Sequence, residues 1–251
     1  MGLSHEERSS LAHRVATILV ARHRVCLVGV YGSTARGTDT LWSDLELLAI
    51  VQDDEPIRDI AFLYQGIAVG IVAHHRVDLE RLITHPDSHW PMLMGILSSI
   101  QVLYGDLELV SHWLEMGRTT PAAAFRTALE HLAPALVFES CGRILSCASR
   151  NNPEDLAAAI IETVLEMNTA LCLLNQRWTS HDYYAGVLDV MEFPILPVGY
   201  AELAPALWHS RDPSQAAELA KVLLGQYVAL LRQNGIALND WAALPYEEWP
   251  L

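Results

Sequence analysis

Short apolar runs separated by turn residues dominate the first third of the chain. Positions 25–30 read VCLVGV, and Leu45 to Val51 form a second run in which Asp44 and Glu46 alternate with leucines. Runs of this length and composition are typical of strands. A third, GIAVGIV, covers positions 66–72, and Ser9 to His23 carries apolar residues at helical spacing. The pattern therefore predicts a helix, a strand, a Gly-Ser turn and two further strands.

Long helical periods follow from about Pro121 onward. One helix is predicted from Pro121 to about Ser149, a second opens at Asn152-Pro153, and a third covers about Ser214 to Gln233. The proline-rich stretch at 192–200 is predicted to be a loop. We therefore expect an α+β architecture, with a β-sheet domain and flanking helices over 1–118 and a helical bundle over 119–251.

Composition narrows the function classes. The chain has 251 residues, 51% of them hydrophobic, which is too apolar for a disordered chain, and 16 Lys+Arg against 30 Asp+Glu give a net charge of −14. This acidity argues against nucleic-acid or anionic-membrane binding and suits a cationic small molecule. No signal peptide, membrane-length apolar run or C-x-x-C spacing is evident, so we expect a cytoplasmic protein with free thiols.

The segment VYGSTARGTDTLWSDLELLAI, at positions 30–50, carries the most informative chemistry. A strand ends at a Gly32-Ser33 turn, ten residues follow, and Asp44 and Glu46 then stand at positions i and i+2, which share one face of a strand. Two acids so placed repel each other unless a cation lies between them, and Mg²⁺ prefers such oxygen ligands. The turn can bring backbone N–H groups to a phosphate. The alternative is an amphipathic edge strand with two solvated acids.

This order of turn and acids resembles the nucleotidyltransferase superfamily. The stretch YGSTARGTDTLWSDLE, the later His89-Trp90-Pro91 and the run from Ser99 to Tyr104 are similar to the aminoglycoside (4′) nucleotidyltransferases, the group that includes kanamycin nucleotidyltransferases. The resemblance implies an N-terminal mixed β-sheet and a C-terminal helical domain. It also implies transfer of AMP from ATP, with Mg²⁺, to the 4′-hydroxyl of an aminoglycoside such as kanamycin or tobramycin. In the family two subunits share each active site, so a homodimer is expected.

The resemblance also assigns residues on the first long helix of the second domain. Glu139 is expected to be the general base, and Arg143, one turn later, to bind the nucleotide. Helical periodicity places Arg143 within the apolar face and Glu139 at its edge, so both are expected to turn inward. The alternative is a surface i, i+4 ion pair.

A third acid, present in the family on the strand after the pair, is missing here. Its position falls at or near Gly70, and Asp78 is the nearest acid downstream, expected beyond the strand. Either two acids suffice to hold the metal or another residue replaces the third; Asp78 is kept as a weak candidate for the substrate or metal site.

Several further residues are candidates for nucleotide contacts. Ser33, Arg36 and Ser43 lie in the proposed phosphate loop, and Thr179 matches a family position near the nucleotide. For Arg36 the alternative is a salt bridge to Asp39, and for Thr179 it is a helix-capping role. The seven tryptophans are expected in the core or a subunit interface.

Two other functions remain open at this stage. The chain could be a nucleotidyltransferase that modifies a protein or an RNA, although its acidity disfavours RNA. It could also be a non-catalytic nucleotide-binding relative of the toxin–antitoxin type. Retention of both Asp44 and Glu46 favours an enzyme.

Overall fold

The computed structural model describes residues 2–238, apart from the side chains at positions 135–137, and these residues form two compact units. The first comprises the chain up to Phe125 together with Gln176–His181, and the second comprises Arg126–Asn175 and the described residues from Asp182 onward. The division therefore lies a few residues beyond the boundary expected at 118. Positions 239–251 of the expected second domain lie outside the described residues.

The first unit is a five-stranded mixed sheet flanked by helices. Its strand order is β3-β4-β2-β1-β5, in which β2 and β4 are parallel and the other neighbours are antiparallel. The strands are β1 (Val25–Tyr31), β2 (Leu45–Val51), β3 (Ile60–Tyr64), β4 (Ile67–His75) and β5 (Gln101–Gly105). The helices are α1 (His5–Arg22), α2 (Gly32–Arg36), α3 (Arg76–Thr84), α4 (Trp90–Ser99) and α5 (Leu107–Thr119).

Alternation along β2 separates the apolar core from the candidate acids. Leu45, Leu47 and Ala49 are fully buried in the apolar cluster that α1 completes. Because successive side chains on a strand point to opposite faces, Glu46 lies on the other face of the sheet. Tyr31, the last residue of β1, pairs with Glu46. The strands predicted around the turn are therefore present and meet at one end of the sheet.

Two strands, β3 and β5, show no alternation of buried and exposed residues from which they could be predicted. β3 pairs only with β4, and its side chains are mostly exposed, so it has no buried face to impose an alternating pattern. β5 is a five-residue edge strand that pairs only with β1. Edge strands of this kind are hard to predict from sequence, because they pair with a neighbour on one side only and are less buried than central strands.

The second unit is helical. After α6 (Ala122–Ala133), in which the division between the units falls, come a π-helical segment (Pro134–Glu139), α7 (Ser140–Ser149), α8 (Leu156–Asn175), α9 (Tyr183–Val190), α10 (Tyr200–His209) and α11 (Pro213–Gln233). The three long helices predicted from the sequence are present, and the α+β architecture is confirmed. The first of them is interrupted where Pro134, which has no N–H to donate, opens the wider π turn.

Helix α8 corrects one expectation drawn from the sequence. It is long and apolar enough to cross a membrane by length and composition, although no such run was expected. Within the second unit, 61% of its apolar window is buried. Burial of this kind is typical of a core helix packed against its neighbours.

A buried ion pair fixes the loop that leads into β2. The guanidinium of Arg8, on α1, is fully buried and donates to the carboxylate of Asp39, which is 1% exposed, and to the Thr40 carbonyl at 2.8 Å. His5 contacts the other oxygen of Asp39 at 2.7 Å. Burial alone would raise the pKa of Asp39, but the hydrogen bond and charge of His5, together with Arg8, lower it below its usual value.

Removing one member of this pair should destabilise the protein strongly. We expect Asp39→Ala to lower the free energy of unfolding by about 3–5 kcal/mol, because it leaves a buried guanidinium without its counter-ion. Urea denaturation measures the loss. The double variant Arg8→Met/Asp39→Leu should recover most of it, since an apolar pair carries no desolvation cost. A loss in Asp39→Ala below about 1 kcal/mol, the range of exposed pairs, would contradict the structural role.

The contribution of Asp39 should also depend on pH. Because the pKa of this carboxyl is lowered in the folded state, its stabilisation is complete above its unfolded pKa of about 3.9 and is lost as the pH falls through the lower folded value. The difference in unfolding free energy between the unaltered protein and Asp39→Ala should therefore shrink as the pH falls below 4. A difference that stays constant or grows below pH 4 would exclude a lowered pKa.

Candidate active site

The Gly-Ser turn is a single helical turn set between β1 and the loop. Gly32 has a φ of +69°, in the left-handed region that favours glycine, and α2 ends at Gly37, whose φ is +67°. Thr34 and Ala35 are buried, and the Ala35 carbonyl accepts a hydrogen bond from Gln101 on β5 at 2.8 Å. This hydrogen bond therefore fixes the turn to the edge strand β5 of the sheet.

The turn and the acid pair meet at Gly32. A Cβ atom added to this glycine would collide with Oε2 of Glu46, so the carboxylate lies directly against the turn. Asp44 immediately precedes β2, two positions before Glu46, and therefore faces the same way. The structure thus brings together Gly32, Asp44 and Glu46, as the sequence predicts.

The surroundings of Tyr31 show that this corner is negatively charged. Burial, together with the charges of Glu46, Asp44 and Asp59, raises the pKa of its hydroxyl to about 12. Negative charge on two neighbouring carboxylates fits a divalent cation. Among the described residues there is no cluster of three or more side chains that could hold a metal ion, so Asp44 and Glu46 form a pair of acids without a third member.

Gly70, the expected position of the missing third acid, lies beside Glu46, whereas Asp78 lies away from it. Gly70 pairs directly with Glu46 on the adjacent strand, and it has no side chain. Asp78 lies on α3, beyond the opposite end of β4, where it contacts His75 at 3.3 Å and Arg81 at 3.8 Å. Because β4 leads away from Glu46 before α3 begins, Asp78 cannot replace the missing acid.

The other loop residues have defined partners. Arg36 donates to the Ser180 carbonyl at 3.4 Å, and Asp39 pairs with Arg8 and His5 instead of Arg36. The Ser43 hydroxyl accepts from the Thr40 N–H at 3.0 Å, which shapes the last turn before the acid pair. Ser33 contributes its carbonyl to the Thr38 N–H at 3.0 Å.

Thr179 reaches this unit because the chain returns to it. A Cβ atom at Gly95, on α4, would collide with the Thr179 carbonyl, so the segment Gln176–His181 packs closely on that helix. Trp178 makes an edge contact with Trp90, with ring centroids 5.9 Å apart. Together with the bond from Arg36 to the Ser180 carbonyl, this places the Thr179 segment beside the Gly-Ser turn.

In the second unit, Glu139 and Arg143 form an ion pair at 2.7 Å, and Arg143 also pairs with Glu162 on α8. Contrary to the expectation from periodicity, both side chains are about half exposed, 62% for Glu139 and 47% for Arg143. The apolar face itself is present, because Ser140, Ile144 and Cys147 are buried as the periodicity predicts. Arg143 lies at the margin of that face, where its guanidinium reaches Glu139 and Glu162.

Sequence reasoning missed a second carboxylate of this cluster. Glu166 accepts a hydrogen bond from the buried Ser140 hydroxyl. Burial raises its pKa, the Ser140 bond opposes this, and the charges of Glu162 and Glu139 raise it further. Glu162 and Glu166 are the only charged residues of α8, four positions apart on an otherwise apolar helix, which is the signal that could have revealed them.

Comparison with known proteins supports the family resemblance. No family model matches the chain. The sequence is 23% identical over 147 residues to proteins named aminoglycoside nucleotidyltransferase (4′) from Staphylococcus aureus and from a Bacillus species. Each match covers 56% of this chain and 56% of the relative, so the chain spans little more than half the length of these curated relatives.

A solved structure supports the fold independently. A nucleotidyltransferase-like protein from Exiguobacterium sibiricum superposes with a TM-score of 0.50 at 14% identity, covering 90% of this chain and 75% of that protein. At this identity the likeness concerns the fold alone. The resemblance to the aminoglycoside (4′) nucleotidyltransferases is therefore confirmed: the chain is similar in sequence to proteins of that name and has a nucleotidyltransferase-like fold.

Proposed function

We propose that this chain is an aminoglycoside adenylyltransferase, which transfers AMP from ATP to the 4′-hydroxyl of an aminoglycoside, releases pyrophosphate and so confers resistance. The observation that carries the proposal is the contact of the Glu46 carboxylate with Gly32, which joins a metal-binding acid to a phosphate-binding turn. The similarity to the named relatives extends over only about half their length, so substrate and activity rest on this geometry as well.

Asp44 and Glu46 would hold Mg²⁺. The ion, when bound, would supply positive charge to the phosphates as the bond to the leaving pyrophosphate breaks. The protein's own task is to place the two carboxylates on one face of β2, which the register with Tyr31 does before any ligand arrives.

The turn and the arginines would bind the triphosphate. Backbone N–H groups of the Gly32-Ser33 turn, the Ser33 hydroxyl and Arg36 are within one short element beside the acids, and Thr179 and Ser43 lie in the segments that border it. Arg143 would add a second guanidinium from the helical unit. In the unliganded protein it is held by Glu139 and Glu162, so nucleotide binding would exchange one carboxylate for a phosphate.

Glu139 would accept the proton of the acceptor hydroxyl. The net charge of −14 suits a polycationic acceptor. A cytoplasmic homodimer with a shared site completes the proposal, in keeping with the family resemblance.

The reaction class is tested first by pyrophosphate release from MgATP, with and without kanamycin or tobramycin. Release that requires the antibiotic supports the proposal. Release that occurs only with protein or RNA acceptors would assign a different substrate class. Nucleotide binding without release under any condition would indicate a binding-only relative.

Glu46→Gln should abolish transfer and leave the fold intact. We expect turnover to fall by a factor on the order of 1,000, because a ligand of the charge-neutralising cation is worth several kcal/mol. Mn²⁺ binding, followed by electron paramagnetic resonance, should weaken in parallel. Glu115→Gln, at an exposed carboxylate on α5, is the matched control and should change neither quantity. A fully active Glu46→Gln would remove the metal assignment.

Glu139→Gln should lower kcat by about 100- to 10,000-fold, the usual contribution of a general base, with little effect on the dissociation constant of ATP. Glu166→Gln is the informative comparison, because this neighbouring carboxyl has the raised pKa. We expect it to retain most of its turnover. Normal turnover in Glu139→Gln together with a large loss in Glu166→Gln would transfer the role to Glu166.

A further inference from the structure

A cavity of about 370 Å³ lies beside Asp44, at the end of the sheet where β2 begins. The loop residues Leu41 and Trp42 form one wall with Asp44, and Gly66, Ile67 and Ala68 form the other. Cavities of about 300–1,000 Å³ are typical of small-molecule sites, so this one, at the small end of the range, suits a single ring and its substituents.

The cavity borders Asp44 on the side of β2 where β4 lies. The Gly-Ser turn follows β1, which neighbours β2 on one side, whereas Ile67 and Ala68, which line the cavity, open β4, which neighbours β2 on the other. The cavity is therefore lined by residues other than those of the turn.

The lining favours a cationic ring with an apolar face. Asp44 is the only charged residue among those that line the cavity, and the lining contains no lysine, arginine or histidine that could bind a phosphate. The Trp42 side chain is 90% exposed, although tryptophan is expected in a core. An indole face attracts ammonium groups and packs against C–H groups, and the adjacent carboxylate attracts the same ammonium.

The backbone that carries Trp42 is held in place. Its N–H donates to the Thr40 hydroxyl at 3.2 Å, and the Thr40 carbonyl accepts from the buried Arg8. A Cβ atom at Gly2 would collide with the Leu41 carbonyl, so the N-terminal segment packs against the same loop. The ring is thus presented to solvent on a fixed support, which reduces the ordering cost of binding.

We propose that Trp42 is the platform on which one aminosugar ring of the acceptor lies, with an ammonium group of that ring directed to the carboxylate edge of the cavity. The proposal rests on the aminoglycoside activity proposed above and adds to it a residue that determines acceptor affinity. It separates acceptor binding, through Trp42, from nucleotide binding, through the Gly32-Ser33 turn.

Titration calorimetry with kanamycin, in the absence of nucleotide, tests this directly. We expect Trp42→Ala to weaken kanamycin binding about tenfold and Trp42→Phe to restore most of the affinity, because an aromatic face remains. The dissociation constant of ATP should be unchanged in both variants. In turnover, Trp42→Ala should raise KM for kanamycin with kcat nearly unchanged. Leu107→Ala, at an exposed apolar residue on α5, is the control and should change neither affinity.

The outcomes distinguish the proposal for Trp42 from the proposed adenylyltransferase activity on which it rests. Unchanged kanamycin affinity in Trp42→Ala, with antibiotic-dependent pyrophosphate release intact, would overturn the platform and leave the adenylyltransferase standing. An equal loss of ATP affinity would also overturn it, because the residue would then serve the nucleotide or the loop as a whole. Absence of kanamycin binding by the unaltered protein would overturn both proposals.

Discussion

The buried pair between Arg8 and Asp39 is the constraint on which the candidate site depends. The loop from Gly37 to Asp44 joins the Gly-Ser turn to the acid pair, and it contains no regular structure of its own. Arg8 fixes it to α1 through Asp39 and the Thr40 carbonyl, and the Ser43 hydroxyl closes its last turn. An ion pair with both members excluded from water is directional and costly to break, so it specifies one loop conformation where apolar contacts would tolerate several.

Once this loop is fixed, the pairing of β1 with β2 determines where the Gly-Ser turn and the acid pair lie. Because β1 and β2 are antiparallel neighbours, the end of β1 lies opposite the start of β2, and Tyr31 pairs with Glu46. This pairing brings Ser33 and Asp44 close together, although ten residues separate them along the chain. The absence of a side chain at Gly32 lets the Glu46 carboxylate approach the turn, and Gly70, which pairs with Glu46 on β4, adds no side chain on the other flank.

Sequence reasoning succeeded where burial imposes a pattern and failed where it does not. β1 and β2 were predictable because each is a short apolar run that is buried along most of its length, whereas β3 is exposed along most of its length. The inward orientation expected for Arg143 was wrong because its guanidinium reaches outward to two carboxylates, one of them on another helix, and the partnership of Ser140 with Glu166 likewise depends on a tertiary contact between two helices. Trp42 was assigned to a core or an interface because composition alone does not distinguish a buried indole from a displayed one.

The return of Gln176–His181 to the first unit has a consequence for how the chain can be divided. The polypeptide passes from one unit to the other three times, after Phe125, after Asn175 and after His181. A fragment ending at Phe125 would lack the segment Gln176–His181, which packs on Gly95 and contacts Trp90. A fragment beginning at Arg126 would contain that segment but not the surface on which it packs. Neither fragment would therefore contain one complete unit, and insertions or deletions between Asn175 and Asp182 would change the packing on α4 in the first unit.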